Sequence, residues 1–282
     1  MKIDILLATY NGEEFLSEQL DSILAQTVTD WHLLIRDDGS TDSTEEILRA
    51  YITGHPDQIT LIDSDSKNKG ACQSFHELLK YSMGDYIFFS DQDDVWVPEK
   101  LEVSLQRMRD FEKQDPSKAL LIHSDLRVVD KKLNILSNSL WVYQNLDQSI
   151  ASDVYKLAAH NVITGCSMMI NRKAKELSLP IPQSALMHDW WIAINVCKYG
   201  QIKTINRPLV LYRQHGSNVE GARRKDFLYY LKKTLHLVNY TVHLWKKGRM
   251  LKGLRFGLNP LRVIIAHIGI YKKSIFKADQ NV

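Results

Sequence analysis

The stretch IDILLATY (residues 3–10), followed by GEEFLSEQLDSILAQT (12–27) and WHLLIRDDGS (31–40), decides the fold class. The first segment is a short apolar run with the length of a buried strand. The second puts Phe15, Leu16, Leu20, Ile23 and Leu24 at helical spacing. The third is another apolar run, and it ends in two carboxylates and a glycine turn. The alternation continues. TDSTEEILRAYI (41–52) reads as a helix that Asp42 or Ser43 can cap, with Glu45 and Glu46 at its positive end. ITLIDS (59–64) is a third strand, KGACQSFHELLKYS (69–82) a third helix and DYIFFS (85–90) a fourth strand. Strands and helices that alternate through short connections predict an α/β protein with a doubly wound, mostly parallel sheet.

In such sheets ligands bind beyond the carboxyl ends of the strands. Three predicted strands end in distinctive polar groups: Thr9-Tyr10-Asn11, Asp37-Asp38-Gly39 and the carboxylates of SDQDDVW (90–96). All three are expected on one rim. Asp91-Gln92-Asp93-Asp94 offers only oxygen ligands, which favours Mg²⁺ or Mn²⁺ over zinc. A divalent ion would also relieve the repulsion among three neighbouring carboxylates. The glycine-rich fingerprints of phosphate loops and dinucleotide folds are absent. What stands is a metal–diphosphate site without a phosphate loop. The plainer alternative is a solvated acidic turn whose Asp93 or Asp94 caps the next helix.

The second half is less regular. A helix is predicted over 98–113, strands in ALLIHSDLRVVD (119–130) and NVITGCSMMINRKA (161–174), a helix in MHDWWIAINVCKYG (187–200) and a strand in RPLVLYRQHG (207–216). With 44% hydrophobic and 24% charged residues, the 282-residue chain has the composition of a globular protein with a sizeable core. Three cysteines far apart give neither a disulfide framework nor a metal spacing, which fits a reducing cytosol. The amino terminus does not read as a signal peptide, and no apolar run reaches the roughly 18 residues of a membrane span. The net charge of +3 hides an asymmetry: residues 222–282 carry 14 Lys+Arg against two acids. We therefore read 1–221 as the main domain, regular over about 1–97 and less regular over about 98–221. Residues 222–282 read as a basic extension of amphipathic helices, broken at Gly253, Gly257 and Pro260.

ATYNGEEFLSEQLDSILAQT, IRDDGSTDST, Asn68-Lys69-Gly70, YIFFSDQDDVWVPEKL, GCSMMINRKA, MHDWW and YRQHGSN follow one another over about residues 3–220. Together they resemble the family 2 glycosyltransferases, and the SDQDDVW version looks most like bacterial rhamnosyltransferases of surface-polysaccharide synthesis. The resemblance implies the GT-A fold and an inverting transfer from a nucleotide sugar. On the donor side it implies a rim of Ala8, Thr9, Tyr10, Asn11, Glu13, Asp38, Lys69, Asp91 and Gln92. In that rim Ala8 and Tyr10 hold the nucleobase, Asp38 accepts from its imide N–H, and Lys69 lies near base or diphosphate. Asp91 contacts a hydroxyl of the ribose or donor sugar. Asp93 and His215 are implied metal contacts, for Mg²⁺ or Mn²⁺.

Asp189 is the implied catalytic base, and its place just before an apolar run makes it a candidate helix N-cap as well. An inverting transfer needs one group to take the acceptor proton, while a metal-neutralised diphosphate leaves without a general acid. His188, Gly165, Trp190 and Trp191 are acceptor-side candidates: His188 is the rival base or a neighbour that positions Asp189, and one tryptophan is a sugar-facing wall while the other packs in the core. Trp96 is divided between core packing and donor contact, and Asp94 is expected to orient its loop or cap the next helix. Cys166 reads as a small residue on a packed strand. The implied donors are dTDP-L-rhamnose or a UDP-hexose, and the implied acceptor is a lipid-linked glycan. The basic extension suits a peripheral place on the inner face of the cytoplasmic membrane, with self-packing or a homodimer contact as the alternative; nucleic acid is not expected. A nucleotidyltransferase and a non-enzymatic sugar- or lipid-binding protein are the competing functional classes.

Overall fold

The structure, a computed structural model, describes residues 1–62, 68–216 and 237–279. Ser217 and Asn218 of the QHGSN motif, and residues 222–236 of the basic segment, lie outside the described residues. The amino-terminal half alternates as its periodicity predicts: β1 (Ile3–Thr9), α1 (Leu16–Leu24), β2 (His32–Asp37), α2 (Thr44–Gly54), β3 (Ile59–Leu61), α3 (Ala71–Tyr81) and β4 (Tyr86–Ser90). β1 pairs in parallel with both β2 and β4, and β2 with β3. β1 is buried on both faces, as a central parallel strand sandwiched between helices must be.

Beyond β4 the sheet becomes mixed. Next come β5 (Val95–Trp96), α4 (Lys100–Glu112), β6 (Leu120–Val129), β7 (Ile135–Ser137), α5 (Leu140–Tyr143) and α6 (Val154–Ala159). They are followed by β8 (Met168–Asn171), α7 (Arg172–Ser178), α8 (His188–Tyr199) and β9 (Gln201–Arg213). The sheet runs β3-β2-β1-β4-β8-β6-β9-β5, with β7 on β6. β8 is antiparallel to both β4 and β6, whereas β6 and β9 are parallel.

One predicted strand is much shorter than expected. Of residues 161–174 only Met168–Asn171 pair in the sheet. Gly165–Ser167 form a 3₁₀ turn. Asn171, the last paired residue of β8, also caps α7, its side-chain oxygen accepting from the Ala174 backbone N–H at 3.1 Å.

Two further helices, α9 (Leu237–Lys252) and α10 (Pro260–Asp279), pack against this body. Met250, Leu254, Phe256 and Val263 join the same core cluster as Trp190, Trp191 and Phe75. No helix among the described residues is long and apolar enough to cross a membrane.

Candidate active site

The carboxyl ends of β1, β2 and β4 form the expected rim. The Tyr10 backbone is clamped by one side chain: Gln92 Oε1 accepts from Tyr10 N–H at 2.8 Å, and Gln92 Nε2 donates to Tyr10 O at 2.9 Å. A Cβ on Gly12 would lie 2.4 Å from Gln92 Oε1, so glycine there makes room for the clamp. The Tyr10 ring stays 47% exposed, an open aromatic face at the mouth. Ala8 lies half-buried behind it. Thr9 Oγ1 donates to Asp37 Oδ1 at 2.8 Å. Asn11, at φ +46°, accepts from Thr41 N–H, and its own N–H donates to Ser40 Oγ. Glu13 accepts from Ser43 N–H at 2.9 Å, so in this structure its carboxylate secures the start of α2.

Asp38 is 3% exposed. Lys69 N–H donates to its Oδ1 and Gly70 N–H to its Oδ2, both at 2.8 Å, and buried Arg36 pairs with Oδ1. A carboxylate has about four lone-pair sites, so these three bonds leave capacity for one more N–H. The Lys69 side chain is exposed beside it.

The DQDD loop lies between β4 and β5. Arg213, 1% exposed, ties it to the end of β9: its N–H donates to Asp94 Oδ1 at 3.1 Å and its Nε to Asp93 O at 2.8 Å. Asp93 Oδ2 lies 2.8 Å from His215 Nε2. Asp91, Asp94 and Cys166 have potential ligand atoms within 4.8 Å of one another. Loss of hydration and then the Asp93 charge push Asp91 up to about 7. Asp94 is fully buried, its Oδ2 has no hydrogen-bond partner, and burial with the charges of Asp93 and Asp91 pushes it well above the usual range. An orphaned buried carboxylate oxygen beside further carboxylates and an imidazole is the donor set of a hard divalent cation. The loop thus offers carboxylate oxygens at two places, Asp91 with Asp94 beside Cys166, and Asp93 against His215 Nε2, and the oxygen donors suit a hard divalent cation.

Asp189 lies in the first turn of α8, and Met187 occupies the cap position. N–H groups of Gly165, Asn161 and Trp190 orient the Asp189 carboxylate. Gly165 N–H donates to Oδ2 at 3.0 Å, while Asn161 Nδ2, at 3.3 Å, and Trp190 N–H donate to Oδ1. A Cβ on Gly165 would stand 2.8 Å from His188 Nε2, so the close approach requires glycine. The next residue, Cys166, faces Asp91 and Asp94. One three-residue turn thus touches the carboxylate of α8 on one side and the acidic loop on the other.

The sequence model of Glycosyl transferase family 2 matches residues 4–178. The chain belongs to this family. As a family 2 member it is a glycosyltransferase. It is similar to the dTDP-rhamnosyl transferase RfbG of Shigella flexneri, 30% identical over 239 residues, covering 77% of this chain and 74% of that one. It is also similar to the UDP-Glc:α-D-GlcNAc-diphosphoundecaprenol β-1,3-glucosyltransferase WfgD of Escherichia coli, 34% identical over 106 residues, 38% of this chain and 40% of that one. In fold it resembles S. aureus TarS 1–349 in complex with UDP-GlcNAc (TM-score 0.60, 15% identity, 98% of this chain and 73% of that one). It likewise resembles the mannosyltransferase PcManGT of Pyrobaculum calidifontis in complex with GDP-Man and Mn²⁺ (TM-score 0.59, 18% identity, 99% and 73%).

Within this family 2 site several side chains sit elsewhere than expected. His188 is 2% exposed, stacks on Phe75 with ring centroids 3.9 Å apart, and has no hydrogen-bond partner on either ring nitrogen. Burial pushes it down to about 3, so it is a neutral core residue and not a rival base. Neither tryptophan forms an acceptor wall. Trp190 Nε1 donates to Leu157 O at 2.7 Å, Trp191 Nε1 to Ser178 O at 2.8 Å, and both indoles are buried. Trp96, also buried, belongs to the core beneath the acidic loop. Asp94 holds the loop to Arg213 and caps no helix, since α4 begins after Glu99. Asp189 is likewise no cap.

Sequence reasoning missed Lys100. It is 1% exposed, its Nζ donates to Cys166 O at 2.6 Å and stands 3.4 Å from the Trp96 ring centre. Burial pushes it down to about 7, against the pull of Cys166, Asp94 and Asp91. A lysine among the core residues Leu101, Leu105 and Met108 of α4 was the available signal.

Proposed function

We propose that this glycosyltransferase is inverting and metal-dependent, and that it moves L-rhamnose from dTDP-L-rhamnose to a hydroxyl of a growing, lipid-linked bacterial surface polysaccharide. The observation that carries the reading is the single turn at Gly165–Ser167, against which the Asp189 carboxylate and the Asp91–Asp94 loop both rest. The similarity to a dTDP-rhamnosyl transferase over three quarters of both chains supports the donor.

The exposed Tyr10 ring takes the face of the base, and Asp38 accepts its imide N–H. Gln92 fixes the Tyr10 backbone, and Asp91 meets a hydroxyl of the ribose or donor sugar. Asp91, Asp93, Asp94 and His215 are the residues that would hold Mg²⁺ or Mn²⁺, which when bound neutralises the leaving diphosphate. Asp189 takes the proton from the acceptor hydroxyl as that oxygen attacks the anomeric carbon. The Gly165 N–H and the Asn161 amide keep one carboxylate orientation through the step. Proton removal by a positioned base contributes about 10²–10⁴-fold. A UDP-hexose donor is the second reading, favoured by the similarity to WfgD and by the imide N–H that uracil shares with thymine.

Thermal shift against dTDP-rhamnose, UDP-glucose, UDP-GlcNAc and GDP-mannose, each with Mn²⁺, tests the donor, because a ligand that binds only the folded state raises apparent stability. The largest shift is expected with dTDP-rhamnose. A shift with GDP-mannose alone would overturn the pyrimidine assignment.

A further inference from the structure

α10 is apolar on two opposite faces. Its inner face packs on the body: Val263 is 6% exposed, His267 Nδ1 lies 3.3 Å from Ala159 O, and the Arg262 guanidinium sits 4.0 Å from the Tyr155 ring centre. Its outer face carries Leu261, Ile264, Ile265 and Ile268, between 49% and 63% exposed. The spacing i, i+3, i+4, i+7 places all four on one stripe. Isolated exposed aliphatics are ordinary, but four on a single helical stripe mark a surface that something covers.

We propose that this outer face of α10 seats the protein on an anionic lipid bilayer, lying in the interface with the helix axis along the surface. Charge selects this occupant over a second copy of the chain. Beside the stripe, Lys246, Arg249, Lys252, Arg255 and Arg262 are exposed, and no acid lies between residues 237 and 271. Two such surfaces repel each other, whereas a bilayer of anionic headgroups attracts both the basic side chains and, beneath the headgroups, the aliphatic stripe. The helix is not apolar enough to span, so it lies on the membrane. Trp245 on α9 adds an indole that is 62% exposed, with the Arg249 guanidinium 5.0 Å from its ring centre. Membrane binding at this face does not depend on which sugar the site transfers.

The test is co-sedimentation of the full chain with vesicles of equimolar phosphatidylglycerol and phosphatidylcholine, and with vesicles of phosphatidylcholine alone. The wild type is expected to bind the anionic vesicles at least tenfold more tightly, and raising NaCl from about 0.1 to 0.5 M should release it. The double variant Ile264→Asp/Ile265→Asp should lose at least tenfold in binding to the anionic vesicles while its melting temperature and its donor hydrolysis with Mn²⁺ stay unchanged. Absence of wild-type binding, equal binding to both vesicles, or retained binding by the double variant would each overturn the proposal. So would a wild-type dimer in sedimentation velocity that the double variant converts to monomer, since the stripe would then be a contact between copies.

Discussion

Lowering the pH should expose His188 as a neutral core residue. In the folded protein burial holds this imidazole down at about 3, against an ordinary value of 6.5. The folded ring therefore stays neutral while the unfolded ring takes up a proton below pH 6.5. A group depressed in this way stabilises the fold fully above its unfolded value, and that stability is lost as pH falls from 6.5 toward 3. At pH 7.5 the two states hold the same proton count, and the linkage cost is close to zero. At pH 5 the unfolded imidazole is about 1.5 pH units into its titration, which at about 1.4 kcal/mol per unit costs the fold roughly 2 kcal/mol. Total stability will not report this cleanly. His123, pushed down to about 4, acts in the same direction, while Asp91, pushed up to about 7, acts in the opposite one. The difference between wild type and His188→Leu cancels both. Urea unfolding at pH 7.5 and at pH 5 should show that difference moving by about 2 kcal/mol in favour of the leucine variant at the lower pH. A difference constant to within about 0.5 kcal/mol would refute the buried, unpartnered imidazole. The same variant should keep turnover within about tenfold of wild type at pH 7.5, because a ring stacked on Phe75 and Phe89 is no base.

Three further substitutions probe the architecture. Gly165→Ala puts a methyl group 2.8 Å from His188 Nε2 and displaces the N–H that orients Asp189, so kcat should fall about 10²-fold with little change in the donor KM. Lys100→Met removes the bond to Cys166 O and leaves that buried carbonyl without its donor, and urea unfolding at pH 7.5 should show a loss of about 1–3 kcal/mol. Asp93→Asn should weaken Mn²⁺-dependent binding of the nucleoside diphosphate at least tenfold in a fluorescence titration, while the metal-free melting temperature changes little.

The first four strands were legible because a parallel strand buried on both faces reads as an uninterrupted apolar run, and the helices between them keep a period near 3.6. The rim followed from that pattern alone, and Tyr10, Asp38 and the acidic loop lie on it. Residues 161–167 were misread as strand because Val162, Ile163 and Cys166 are apolar for another reason: they are buried in turns against the core. His188, Trp190 and Trp191 are site candidates in the sequence only through their proximity to Asp189. A helix, however, points successive side chains about 100° apart, so neighbours of a site residue face elsewhere. Lys100 is silent in the sequence because the spacing that sends a side chain inward says nothing about a charge that finds its partners on other elements. The Gly165 contact to Asp189 spans 24 residues and depends on the conformation of a turn, which no local pattern encodes.

The central claim is that Asp189 removes the acceptor proton while the Asp91–Asp94 loop holds the donor. The direct measurement pairs two readings on Asp189→Asn: turnover with donor and acceptor under Mn²⁺, and affinity for the donor nucleotide with Mn²⁺. The amide keeps the shape and cannot take the proton, so turnover should fall by at least 10²-fold while nucleotide affinity stays within about threefold of wild type. Turnover close to wild type, or a loss of nucleotide binding as large as the loss of turnover, would contradict the account.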